Sequence, residues 1–281
     1  MKDHAYDVDA SPITWREAGP DQATADTPVA VLLHGLGGSR IGWEPQLAAL
    51  STTHRVIAWE APGYGGSDPV ASCTFDAYVD ALAGLLDTVS PNAPVDIVGM
   101  SFGGMIAQYA AARFPQRIRT LTLLCTSPKF GLDGTDPDEW RAHRLSGLEA
   151  AGSPSAVAPA ILASLVGAGN EHVLPEAIAA MDRVPLRGLL DSLRTIVTHD
   201  SRSILPTIEI PTLVLVGSID EETPPAYGQA IVDLMPNARL CVIDDAGHLL
   251  NLEAAEAVSM EIAGHWQEER LWQEEQRTEN P

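Results

Sequence analysis

Six short runs of apolar residues recur along the chain, and helix-like stretches separate most of them. Apolar runs of this length are typical of parallel strands that are buried on both faces. Their alternation with helices predicts an α/β fold with a mostly parallel central sheet flanked by helices. Residues 6–18 predict an antiparallel hairpin at the sheet edge. The predicted strands cover residues 29–33, 55–59, 95–98, 120–124, 212–216 and 240–243, and the predicted helices cover 75–89, 105–113, 225–234 and 254–267.

The alternation breaks between residues 127 and 205, where no strong strand pattern occurs. Helix-like pieces at 138–151, 155–165, 175–181 and 186–197 are separated there by glycine and proline. We therefore predict an α/β core of residues 1–126 and 206–281 and an inserted helical cap, or lid, of residues 127–205. A plain run of packing helices is the alternative. The polar tail at 267–281 predicts a frayed end.

A G-x-S-x-G motif follows the third apolar run, at Gly99-Met100-Ser101-Phe102-Gly103. A strand ends before it and a helix begins after it, which is the setting in which this motif exposes a nucleophilic serine. The glycines permit a sharp turn, and the helix N-terminus favours negative charge near Ser101. The alternative is an ordinary helix N-cap serine between turn glycines.

A glycine-rich turn, His34-Gly35-Leu36-Gly37-Gly38, follows the first apolar run. A tetrahedral intermediate of acyl transfer needs two donors at its oxyanion, and the backbone N–H groups of Leu36 and Phe102 are the natural pair. We interpret His34 as structural. A phosphate-binding loop is the alternative, but the turn lacks the P-loop lysine and the G-x-G-x-x-G spacing.

Two further loops at strand ends contain acidic residues and a histidine. Asp220, Glu221 and Glu222 follow the fifth run, and any of them could orient a catalytic base. His248 follows the sixth run, where a base can reach a serine on a more central strand. The chain order of serine, acid and histidine is the order found in α/β-hydrolases.

Composition excludes several kinds of partner. The net charge is −21, from 17 basic and 38 acidic residues, so the chain repels nucleic acid and anionic membranes. The three scattered cysteines predict neither a disulfide framework nor a zinc site and fit a cytoplasmic protein. No apolar leader and no run of about 18 apolar residues is visible. We expect a small-molecule substrate, with no nucleic acid or membrane partner.

The motifs together resemble the α/β-hydrolase superfamily. The resemblance rests on the two glycine motifs above and on three further segments, Ala61-Pro62-Gly63-Tyr64-Gly65-Gly66-Ser67, 217–224 and Gly247-His248. It is strongest to small bacterial ester hydrolases of the 3-oxoadipate enol-lactonase type, and next to the carbon–carbon bond hydrolases of meta-cleavage pathways. Glu60 departs from the aspartate of many relatives.

The resemblance implies a Ser101–His248–Asp220 catalytic triad that needs no metal or organic cofactor. It favours Asp220 over the neighbouring glutamates. The predicted reaction is hydrolysis of a carboxylic ester or lactone through an acyl-enzyme. Carbon–carbon bond hydrolysis and a ligand receptor with little turnover are the alternatives. Four side chains are predicted pocket walls, with ordinary core packing as the alternative for each: Trp43, Phe102, Trp140 and Leu249.

Overall fold

A computed structural model describes residues 6–10, 12–24 and 26–279. Eight strands in these ranges form one sheet in the order β1-β2-β4-β3-β5-β6-β7-β8. The pairs β1·β2 and β2·β4 are antiparallel, and all the others are parallel. The predicted sheet and edge hairpin are confirmed, although Ser11, within the predicted range, lies outside the described residues. The strands are β1 (Tyr6–Ala10), β2 (Ile13–Ala18), β3 (Val29–Leu33), β4 (Arg55–Trp59), β5 (Val95–Met100), β6 (Ile118–Leu124), β7 (Thr212–Gly217) and β8 (Ala238–Ile243).

The strands in the middle of the sheet are covered on both faces, whereas β8 is an edge strand. Every residue of β3, β5 and β7 is buried, which accounts for their continuous apolar sequences. The prediction that β8 is equally buried is wrong, because no strand of the described residues pairs with its outer edge. The side chain of Val242 is accordingly 43% exposed.

Helices follow β3 and every later strand. They are α1 (Glu44–Leu50), α2 (Phe75–Val89), α3 (Phe102–Arg113), α4 (Pro137–Ala151), α5 (Pro154–Leu165), α6 (Leu174–Met181), α7 (Leu186–Ile196), α8 (Pro225–Val232), α9 (Leu250–Glu253) and α10 (Ala255–Glu279). The short helices α1 and α9 were not predicted. Across the described ranges, none of the helices combines the length and apolar character that a membrane crossing requires.

The last helix contradicts the predicted frayed tail. α10 continues to Glu279, and the final two residues lie outside the described ranges. The sequence from 267 to 279 contains neither glycine nor proline. Extending an existing helix adds one hydrogen bond per residue without a new nucleation step, so a polar tail of good helix formers remains helical.

Helices α4 to α7 form one segment between β6 and β7, hereafter the helical insertion (residues 127–205). The four predicted helical pieces are confirmed, with ends that differ by one residue. The insertion contacts the rest of the chain closely at Gly188, where an added Cβ atom would lie 2.1 Å from the carbonyl oxygen of Gly63. Ser192 on α7 also hydrogen-bonds the hydroxyl of Tyr78 at 3.0 Å. The division into two domains stays a prediction.

Candidate active site

Ser101 lies on the tight turn between β5 and α3. Its backbone is left-handed, with φ 51° and ψ −116°, a conformation that non-glycine residues rarely adopt. The amide of Ser101 donates to the carbonyl of Leu124 at 2.8 Å, and the hydroxyl of Thr126 donates to the carbonyl of Ser101 at 2.8 Å. These bonds hold the unusual backbone. The predicted strand–turn–helix setting of the G-x-S-x-G motif is confirmed.

Glycine is required beside the turn because α3 approaches β3 closely. An added Cβ on Gly103 would lie 2.3 Å from the carbonyl oxygen of Leu33. A side chain there would push the helix away from the sheet. The motif therefore fixes both the direction of the serine and the distance between helix and sheet.

His248 and Asp220 come from the loops that follow β8 and β7. The hydroxyl of Ser101 lies 3.1 Å from Nε2 of His248, and Nδ1 of His248 lies 3.0 Å from Oδ2 of Asp220. All three residues are at least nine-tenths buried. With Nδ1 donating to the carboxylate, Nε2 has a lone pair that accepts the serine proton. This arrangement can deprotonate a hydroxyl and return the proton to a leaving group.

Thr223 is a member of the site that the sequence analysis missed. Its hydroxyl donates to Oδ2 of Asp220 at 2.8 Å, while the amides of Thr223 and Glu222 each donate to Oδ1 at 2.9 Å. The spacing of an aspartate and a threonine three residues later is a signal that could have found it, because aspartate commonly caps such a turn. Glu221 and Glu222 are exposed. Of the three acidic candidates, Asp220 is the one beside the histidine.

The acid and the histidine change each other's proton affinity. Burial by itself raises the pKa of Asp220, but the His248 ring and the Thr223 hydrogen bonds outweigh it and lower that pKa to about 2. Burial by itself lowers the pKa of His248, but the Asp220 carboxylate outweighs it, so the pKa is raised above 6.5. Asp220 is therefore ionised near neutral pH and stabilises a protonated His248.

The glycine-rich turn after β3 lies against the serine. An added Cβ on Gly35 would lie 3.2 Å from Cβ of Ser101, and Leu36 borders the same cavity. Phe102 is the first residue of α3, so its amide has no partner four residues earlier within the helix. The oxyanion role of the two amides stays a prediction.

His34 is held within the turn itself. Its Nδ1 hydrogen-bonds the carbonyl of Gly35 at 2.9 Å, and its Nε2 accepts from the amide of Ala61 at 3.0 Å. Burial lowers the pKa of His34 to about 4, so the ring is neutral. These contacts agree with the structural interpretation of His34.

A cavity of about 550 Å³ opens between Ser101 and the helical insertion. Trp43, Trp140 and Leu249 border it, as predicted pocket walls should. The prediction is wrong for the side chain of Phe102, which is not among the lining residues. Its ring packs against Phe75 and Tyr78 on α2 instead, because the first turn of α3 points this side chain into the core. The wall from the helical insertion is mainly aliphatic, but it also contains polar residues. The aliphatic residues include Leu148, Val157, Ile161, Leu162, Met181, Leu189, Leu193 and Ile196, and the polar ones include Lys129, Asp133, His143 and Arg144.

Within the described ranges, one group of side chains has a geometry that could hold a metal ion. Potential ligand atoms of Cys125, Asp220 and His248 lie within 4.8 Å of one another. Burial raises the pKa of the Cys125 thiol well above its ordinary value, whereas metals bind the thiolate. Asp220 and His248 already hydrogen-bond each other. These residues fit a proton-transfer pair better than a metal centre.

The fold and the site define a class of protein. The sheet is mostly parallel, a serine follows a central strand and a histidine follows a later one, and this is the arrangement of α/β-hydrolases. Residues 30–261 match the alpha/beta hydrolase family. The chain belongs to this family and is a hydrolase of the α/β type.

Named relatives support the same class. The chain is 34% identical over 245 residues to polyketide synthase ThaQ of Burkholderia thailandensis, covering 82% of this chain but only 11% of the synthase. It is 29% identical to the pimeloyl-[acyl-carrier protein] methyl ester esterase of Neisseria meningitidis, over 80% of this chain and 72% of the esterase. The crystal structure of the enol-lactonase from Burkholderia xenovorans superposes with a TM-score of 0.81 at 25% identity, covering 93% of this chain and 100% of the lactonase.

Proposed function

We propose that this protein is a serine hydrolase that cleaves a carboxylic ester or lactone of a small-molecule substrate through an acyl-enzyme. The observation that carries the proposal is the continuous hydrogen-bond chain from the Ser101 hydroxyl through His248 to Asp220, with distances of 3.1 and 3.0 Å. Ser101 is the nucleophile and His248 is the general base. Asp220 orients the histidine and stabilises its protonated form.

The reaction proceeds in two halves. Oγ of Ser101 forms a bond to the carbonyl carbon while its proton passes to Nε2 of His248. The tetrahedral intermediate then expels the alkoxide, which takes that proton, and an acyl-enzyme remains. A water molecule next gives a proton to His248 and attacks the acyl carbon. The acid leaves and Oγ regains its proton.

The negative oxygen of both intermediates needs stabilisation. The amides of Leu36 and Phe102 are proposed to donate to it, at the ends of two loops that meet beside Ser101. A donor of this kind contributes on the order of 10²–10³ in kcat. The positive end of the α3 dipole adds to the effect. None of these steps requires a metal or an organic cofactor.

The cavity supports an ester or lactone with an apolar portion. Its wall from the helical insertion is mainly aliphatic, and an apolar group is bound there by burial of its surface. The same wall also includes the polar residues Lys129, His143 and Arg144, so carbon–carbon bond hydrolysis stays the alternative and ester or lactone cleavage is our choice. The esterase and enol-lactonase activities named for the relatives agree with this choice.

The test compares the wild type with Ser101→Ala on a short-chain p-nitrophenyl ester. We expect release of p-nitrophenol by the wild type and a loss on the order of 10⁶ in kcat in the variant. Near-ultraviolet circular dichroism of both proteins controls for folding. Equal turnover by the two proteins would show that Ser101 is not the nucleophile. A wild type that binds esters without turning them over would support the receptor alternative.

A further inference from the structure

Glu253 lies five residues after His248, in the short helix α9. Its carboxylate accepts hydrogen bonds from two separate loops. Oε2 accepts from the amide of Gly247 at 2.8 Å and from the amide of Gly167 at 2.9 Å. It also accepts from the side-chain amide of Asn170 at 3.0 Å. Oε1 accepts from the amide of Leu249 at 2.9 Å. One carboxylate therefore satisfies four donors.

Two of these donors flank the histidine. Gly247 and Leu249 are its neighbours in the chain, and the amide of His248 itself donates to the carbonyl of Leu165 at 3.0 Å. All three consecutive amides around the histidine are thus held, two of them by Glu253. The ring projects from this backbone toward Ser101, so a shift of the backbone moves Nε2 away from Oγ.

The other two donors belong to the helical insertion. Gly167 and Asn170 lie in the connection between α5 and α6, and Asn170 also donates to the carbonyl of Asp245 at 2.7 Å. The two loops are in close contact: an added Cβ on Gly247 would lie 2.4 Å from the amide nitrogen of Gly167. Glu253 therefore joins the histidine loop to the segment that covers the cavity.

A glutamate side chain fits this position, whereas glutamine and aspartate do not. It presents acceptors only, whereas glutamine would place an NH₂ group toward one of the converging N–H donors. Aspartate is one methylene too short to reach both loops. Hydrogen bonds to an ionised carboxylate are about twice as strong as neutral ones, so the charge matters as well as the shape.

We infer that Glu253 is a positioning residue, which holds His248 at the distance its proton transfer needs and couples that position to the helical insertion. The inference rests on the proposed function, because it gives His248 the role of general base. A displacement of about 1 Å from the reactive geometry can cost on the order of 10²-fold in rate. That is the effect expected when the Glu253 carboxylate is lost.

The experiment uses Glu253→Gln, with Glu256→Gln as the matched control. Glu256 is exposed at the start of α10, so the control removes the same charge without touching either loop. Each protein is titrated with a fluorophosphonate, which counts competent serines by its amplitude and reports their reactivity by its rate. For Glu253→Gln we expect an amplitude near one per chain, a phosphonylation rate and a kcat lower by about 10²-fold, and a nearly unchanged KM. The control should behave as the wild type.

A purely structural role predicts a different result. It would lower the amplitude and leave the rate per competent serine unchanged, and this outcome would overturn the inference. Asn170→Ala provides a second variant that leaves the Gly247 and Leu249 contacts in place. A smaller fall in rate in that variant supports the coupling to the insertion, and a wild-type rate overturns it.

The proposed function and the inference fail in distinguishable ways. A fully active Ser101→Ala protein overturns the proposed function and the inference together. An inactive Ser101→Ala protein combined with a wild-type Glu253→Gln protein overturns the inference alone.

Discussion

At the scale of single residues, His248 must be neutral to act as a base, although its surroundings favour the protonated form. The Asp220 carboxylate raises the pKa of His248 above 6.5 against the effect of burial. In a proposed serine mechanism, kcat/KM therefore rises with pH through that raised pKa. The same carboxylate that orients the ring also moves the onset of activity toward higher pH.

Replacing Asp220 with asparagine should change both the rate and the pH profile. We expect kcat to fall by about 10⁴-fold, since the preferred histidine tautomer is lost. The acidic limb of kcat/KM should also move to lower pH, because burial then lowers the pKa of His248 without the largest of the charges that oppose it. A pH–rate profile of wild type and variant on one p-nitrophenyl ester measures both effects.

The neighbouring glutamates serve as comparison for this prediction. Glu221→Gln and Glu222→Gln remove the same charge from the same loop, but neither carboxylate is hydrogen-bonded to the histidine among the described contacts. Each should reduce kcat far less than Asp220→Asn. A larger loss in either variant would contradict the choice of Asp220 as the orienting acid.

Thr223 shows what residue patterns leave out. The motifs indicated the serine, the histidine and a group of three candidate acids, because each of them follows an apolar run that predicts a buried strand. The hydroxyl of Thr223 beside Asp220 and the four contacts of Glu253 depend on how two loops approach each other in space. No local pattern encodes that approach, although the Asp220-to-Thr223 spacing hints at the turn.

At the scale of elements, the sequence predicts the ends of a strand best where both faces of that strand are buried. β3 and β4 were predicted with their observed ends, since a strand covered on both faces needs an uninterrupted apolar run. The exposure of β8 was not predicted, because its sequence does not reveal that no strand follows it in the sheet. The sequence underestimates the extent of α10, because polar composition alone does not distinguish a frayed end from an exposed helix without glycine or proline.

Two glycine substitutions should have opposite effects on stability, because Gly103 lies against β3 and Gly84 lies on an open helix surface. Gly103→Ala places a methyl group against the carbonyl of Leu33, and we expect a loss of about 1–3 kcal/mol in the free energy of unfolding. Gly84→Ala, on α2 with no atom within 4 Å of the new Cβ, should gain about 0.5–1 kcal/mol from helix propensity. Urea unfolding of both variants measures the two changes.

Activity provides a second check on the same pair. Gly103→Ala should lower kcat as well as stability, because α3 carries the turn of Ser101. Gly84→Ala should leave kcat unchanged. If Gly103→Ala kept the stability of the wild type, the close approach of helix and sheet would not be a requirement of the fold.

At the scale of the whole molecule, loops at the strand ends carry the proposed reacting groups, and the helical insertion supplies most of the residues that line the cavity. The aliphatic wall predicts a dependence on acyl length in a series from p-nitrophenyl acetate to octanoate. Each methylene buried should raise kcat/KM by about fourfold, corresponding to roughly 0.8 kcal/mol, until the cavity is filled. The series is measured at substrate concentrations below KM.

Val157→Thr is the matched variant for the acyl series. It keeps the shape of a cavity-lining side chain of α5 and adds a hydroxyl. The gain per methylene should decrease in this variant, while hydrolysis of the acetate ester stays as in the wild type. A flat dependence on chain length in the wild type would mean that the acyl group does not lie against the helical insertion.

The left-handed backbone at Ser101 predicts a trade-off between activity and thermal stability at this residue. The conformation is one that glycine adopts freely and other residues adopt at a cost of about 1–3 kcal/mol. Selection for heat resistance alone would therefore favour glycine at residue 101, and that change would delete the hydroxyl. Under the proposed mechanism, a laboratory screen for thermal tolerance without an activity criterion would select an inactive protein with glycine at this position, whereas selection for turnover would retain serine.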